Sequence, residues 1–82
     1  MAGSSAGAFR MTSSRDLTPR ERDCLSCAAR GLTYSETAAE LGISAKTVEH
    51  YLAVARHKLG AFSTTQAVGI ALRSGFVRSG AT

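Results

Sequence analysis

One glycine between two amphipathic stretches constrains this chain more than any other feature. The stretch from Thr33 to Leu41 has helical spacing and stops at Gly42; Ile43 and Ser44 follow, and a longer helical stretch runs from Ala45 to about Leu59. Ser44 stands where an N-cap is needed, just ahead of the periodic residues. In the longer stretch Val48, Leu52, Ala55 and Leu59 recur at steps of four, three and four, so they form one apolar stripe facing a core. At about 100° per residue, the opposite side carries Lys46, His50, Ala53 and His57, with Glu49 at its edge.

Helix, tight turn and second helix make the pattern of a helix-turn-helix, whose second helix enters the major groove of DNA. An apolar back and a short, polar, partly basic front suit that task. The same pattern also suits an ordinary amphipathic surface helix. The balance of charge allows the first reading: the formal net charge is +4 and the sequence pI about 9.7. A mildly basic domain with no nucleic-acid partner has the same balance.

The rest of the chain supplies further helices, each with its own start signal. Thr18-Pro19-Arg20-Glu21 reads as a capping box, with Pro19 at the first helical position, where its missing N–H costs nothing. This helix should run to about Arg30 and end at Gly31, with Cys24, Leu25, Ala28 and Ala29 buried and Leu17 and Leu32 closing its ends. Thr33-Tyr34-Ser35-Glu36 repeats the box, and Ala38 and Leu41 should face inward. Ser63-Thr64-Thr65-Gln66 reads as a further box opening a last helix that stops near Ser74-Gly75. On that helix Ala67, Val68, Ala71 and Leu72 should pack inward, leaving Ile70 to point away between Gln66 and Arg73. Phe76 and Val77 should then fold back over the core. No stretch alternates with period two, so the fold class is all-α, with four helices and no sheet.

With 82 residues, 44% hydrophobic and 20% charged, the chain suits one small globular domain. The expected organisation is a flexible, disordered arm over 1–15, a folded domain over 16–78 and a tail over 79–82. The arm is rich in Gly, Ala and Ser, and Met11 within it is a second possible start. No apolar run approaches the roughly 20 residues of a membrane span, and no apolar signal segment opens the chain, so no membrane partner and a cytoplasmic location are expected.

From Leu17 to about Val77 the chain resembles the LuxR-type, or GerE-like, helix-turn-helix domain. The matching marks are Leu17, Thr18, Arg20, Glu21, Leu25, Gly31, Ala38, Leu41, Ile43, Ser44, Thr47, Val48, Leu52, Lys58, Leu59, Ala67 and Val68. The TTQAV stretch looks most like the quorum-sensing branch. The resemblance implies a bacterial transcription regulator, nucleoid-associated, that binds double-stranded DNA as a homodimer, with the last helix as the dimer contact. Most members carry an N-terminal sensor domain; this chain has no room for one and looks like the stand-alone, single-domain members. Three residues depart from the family pattern. Thr37 stands where Ile is usual, Glu49 where many members have a basic residue, and Thr64 where many have Arg. The last two lower the positive charge near DNA.

The expected DNA-binding residues are Thr33, Tyr34, Lys46, Thr47, Tyr51 and Lys58 on phosphates, and Lys46, Glu49, His50 and Ala53 on bases. Glu49 suits a cytosine amino group and Ala53 a thymine methyl. His57 suits a phosphate or base contact, or simple exposure. Tyr51 offers its hydroxyl to a phosphate or its ring to a helix junction. The expected dimer contact is Gln66, Ile70 and Arg73. Cys24 and Cys27 form a CxxC, the spacing of a redox pair or half a zinc site; with no second pair, core packing is the preferred reading. His50 and His57 lack companions for a metal site. No nucleophile pairs with a general base, so no catalysis and no cofactor are expected. A rival function is a protein-interaction module that pairs with another transcription regulator, or with RNA polymerase.

Overall fold

A computed structural model describes residues 17–77. The arm read at 1–15 and the tail read at 79–82 lie outside the described residues. The described residues form four helices, α1 (Pro19–Ala29), α2 (Tyr34–Leu41), α3 (Ala45–Lys58) and α4 (Thr64–Arg73), and contain no strand. The all-α, four-helix expectation holds.

Each helix opens on the hydroxyl read for it. Thr18 Oγ1 accepts from the Glu21 N–H at 3.2 Å while the Thr18 N–H donates to Glu21 Oε1 at 2.9 Å, a reciprocal box. Thr33 and Glu36 repeat it at 3.0 and 2.8 Å. Ser44 Oγ accepts from the Thr47 N–H at 3.0 Å. At α4 the box is incomplete. Ser63 Oγ accepts from the Gln66 N–H at 3.1 Å, but the Gln66 side chain takes the Phe62 N–H instead of that of Ser63. The helix ends are equally local. Gly42 adopts φ +71°, a left-handed conformation costly for any residue with a Cβ, and this turns the chain from α2 into α3. At the end of α4 the Phe76 N–H reaches Ala71 O at 2.9 Å and the Gly75 N–H reaches Leu72 O at 3.3 Å, a Schellman closure that carries Phe76 and Val77 back onto the core.

α3 packs on all three other helices, and α1 also packs on α2 and α4. The core holds Leu17, Cys24, Leu25, Ala38, Val48, Leu52, Ala55, Leu59, Ala61, Ala67, Ala71 and Val77. The stripe read on α3 is therefore the buried one. Two other faces differ from expectation. On α1, Ala28 and Ala29 are only half-buried, while Cys27 and Glu21 are buried with Cys24 and Leu25. The seam is turned toward α2, where the Thr37 hydroxyl hydrogen-bonds the Cys27 side chain. On α4, Leu72 is 37% exposed and Val68 half-buried, whereas Ile70 is half-buried against the core. Five of the six residues from Ala67 to Leu72 are apolar, so spacing alone does not choose the inner face. Ala67 and Ala71, at zero exposure, mark it.

Candidate nucleic-acid interface

The turn at Gly42 and the cap at Ser44 hold α3 with its apolar stripe on the core, and this sets what its outer face presents. Lys46, Glu49, His50 and Ala53 are exposed and together line one open depression. These are the four residues read as base contacts. His57 is exposed one turn beyond Ala53. The face carries one ammonium, one carboxylate and two imidazoles, and the ammonium and the carboxylate offset each other.

The residues read as phosphate contacts divide differently. Thr47 is half-buried, and its hydroxyl lies 2.9 Å from Ser44 Oγ, so it belongs to the cap of α3. The Tyr51 ring is half-buried and packs against the core, tilted by 53° to the His50 ring with centroids 6.0 Å apart. Thr33 caps α2, and Tyr34, 42% exposed, begins it; neither lines the depression on α3. Lys58 is half-buried and its Nζ lies 2.9 Å from Glu21 Oε1. Of the residues read as a dimer contact, Gln66 and Arg73 are exposed and Ile70 is half-buried.

Sequence reasoning missed the tie between Glu21 and Lys58. Glu21 is only 5% exposed, and its carboxylate accepts both the Thr18 N–H and the Lys58 ammonium. One side chain thus caps α1 and anchors the last turn of α3 to it. Arg30 makes a second cross-helix pair, gripping Glu40 at 3.0–3.1 Å. Both pairs join residues far apart in sequence and leave no local signature.

Cys24 and Cys27 are unpaired and buried, as the packing reading expects. Among the described residues no three His, Cys, Asp or Glu side chains come together as a metal site. Burial pushes the Cys24 thiol from 9.0 up to about 11, helped by the Cys27 thiol and the Asp23 carboxylate. Burial and the Glu40 carboxylate raise Cys27 as well. An unfolded chain therefore loses these protons first, so the contribution of Cys24 to stability is whole below 9.0 and drains away toward about 11. The urea midpoint should fall between about pH 8 and about pH 10.5, and the fall should shrink in Cys24→Ala. An identical fall in both proteins would remove Cys24 as its source.

A family model for GerE, the bacterial regulatory proteins of the luxR family, matches residues 15–71. The chain is 44% identical over 66 residues to the HTH-type transcriptional activator RamA of Corynebacterium glutamicum, covering 80% of this chain and 24% of RamA. It is 48% identical over 61 residues to the HTH-type quorum sensing-dependent transcriptional regulator VjbR of Brucella abortus, covering 74% of this chain and 24% of VjbR. A structure of Vibrio cholerae VqmA superimposes with a TM-score of 0.70 at 40% identity, over 82% of this chain and 33% of that one. That work concerns a shift of the VqmA dimer in the absence of target DNA and the DNA-binding mechanisms of LuxR-type receptors. The chain spans about a quarter of the length of the curated relatives. No helix among the described residues is long and apolar enough to cross a membrane. With its helix-break-helix geometry and a family model that covers α1 to α3 and most of α4, the chain belongs to the LuxR family of bacterial regulatory proteins.

Proposed function

We propose that this domain binds double-stranded DNA through α3, laid in the major groove, and regulates transcription at the nucleoid in the cytoplasm. The observation that carries this reading is the outer face of α3. Lys46, Glu49, His50 and Ala53 form one open depression on a helix whose back is locked in the core. Base edges would meet those four side chains, and phosphates would meet Lys46, His57 and the start of α2 at Thr33 and Tyr34. Thr47, Tyr51 and Lys58 approach the backbone only while keeping their structural contacts.

Two copies would sit on two half-sites, paired across a two-fold axis through α4. Gln66, Ile70 and Arg73 belong to that helix, and the exposed Leu72 adds apolar area. VqmA, the structural neighbour, is a dimer, which supports the pairing of two copies. A second reading, a module that docks on another regulator or on RNA polymerase, is favoured by Phe62, 88% exposed on the α3–α4 connection.

Selection from a random duplex pool with the purified chain, followed by titration at several salt concentrations, tests the proposal. The chain should enrich a two-part site and bind it more weakly as salt rises. Lys46→Ala should weaken binding to every duplex and reduce the salt slope by about one. An unchanged slope would remove Lys46 from the phosphate contacts. A chain that binds no duplex at any salt would leave the docking-module reading in place.

A further inference from the structure

The acidic side chains among the described residues share one property, with a single exception. Glu21 is bound to the Thr18 N–H and to Lys58, Asp23 to Arg20, Glu36 to the Thr33 N–H and Glu40 to Arg30. Glu49 is the one carboxylate among the described residues with no hydrogen bond and no ion pair. It is exposed, and it stands between Lys46 and Ala53 in the depression on α3. Lys46 is three residues away, within reach along a helix, and the two do not pair.

A bare carboxylate on a face that meets phosphates weakens binding by repulsion. It is favourable there only where the groove offers a donor. Guanine presents N7 and O6 and thymine presents O4, all acceptors, which repel a carboxylate. Adenine offers its N6 amine, but N7 stands beside it as an acceptor. Cytosine offers the N4 amine with no acceptor of its own alongside. We infer that Glu49 is a specificity-determining residue of this domain: it selects a cytosine in each half-site and rejects the other three bases at that position. This rests on the DNA-binding reading above. Lys46, one turn earlier, supplies the complementary donor for guanine O6 and N7. Since Glu49 holds nothing together inside the domain, replacing it changes recognition without touching the fold.

The test is selection from a random duplex pool with the purified full chain and with Glu49→Gln and Glu49→Ala, circular dichroism confirming equal helix content. The wild-type site should contain one position held as cytosine. Replacing that base pair should weaken wild-type binding by about tenfold or more. Glu49→Gln should move the preference at that position alone to adenine, whose N6 and N7 match an amide. Glu49→Ala should lose the preference there, keep the rest of the site and bind unrelated duplexes more tightly than the wild type. Both variants returning the wild-type site would overturn the inference, as would a wild-type site with no fixed cytosine. Salt-dependent binding without sequence preference would overturn it while leaving DNA binding standing. Failure of the wild type to bind any duplex would overturn both.

Discussion

Leu52→Ala is expected to lower the unfolding free energy by about 3 kcal/mol, within the range for removing a buried leucine from a core that cannot fully collapse. Leu52 is 2% exposed, in the apolar cluster with Leu25 and Val48. Its weight comes from what surrounds it. Much of this core is alanine, at Ala38, Ala55, Ala61, Ala67 and Ala71, so the few large side chains supply a disproportionate share of the buried area. A domain this small has roughly 5 kcal/mol to lose. The variant should therefore keep only about 2 kcal/mol, roughly 30 folded molecules to each unfolded one in the absence of denaturant. Urea unfolding followed at 222 nm would show the midpoint falling by most of its wild-type value. A loss below about 1 kcal/mol would mean that neighbouring helices close over the gap, contrary to the close packing expected of such a core.

The second large effect concerns Glu21 and Lys58. Lys58→Met should cost about 2 to 3 kcal/mol, because it leaves a buried carboxylate without its ammonium partner. A cost at or below the lower end of the usual range is expected, since the Lys58 side chain is 31% exposed and water reaches that end of the pair. Glu21→Gln should cost about 1 kcal/mol: the amide oxygen still accepts the Thr18 N–H and the charge to be solvated is gone. The two changes together should cost less than Lys58→Met alone, as no unpaired charge remains inside. Additive losses in the double-mutant cycle would show that the two groups act independently in spite of the 2.9 Å contact.

These two sites mark what was legible in the sequence and what was not. Helix starts are local chemistry. Thr18 and Glu21, Thr33 and Glu36, and Ser44 and Thr47 are three residues apart, so their hydrogen bonds follow from spacing. The outer face of α3 was legible for the same reason: helical period alone gathers Lys46, Glu49, His50 and Ala53. The faces of α1 and α4 were only partly legible. Small apolar residues surround much of both helices, and the choice among them is made by a neighbour, as where Thr37 on α2 meets Cys27. The incomplete box at α4 is a nearer miss, since Gln66 reaches one residue further back, to Phe62. The Glu21–Lys58 pair spans 37 residues, and no local pattern announces it.

The outer side of α3 is uncoupled from the machinery that keeps the helix in place. The side chains of Lys46 and Glu49 make no hydrogen bond or ion pair within the described residues, Ala53 is exposed, and Val48, Leu52 and Ala55 do the anchoring. Exposed positions of this kind usually tolerate exchange within about 0.5 kcal/mol. Two messages are thus written on one helix in different registers, one addressed to the rest of the chain and one to the outside. Descendants of such a sequence are free to drift toward new targets one letter at a time, without passing through an unfolded ancestor.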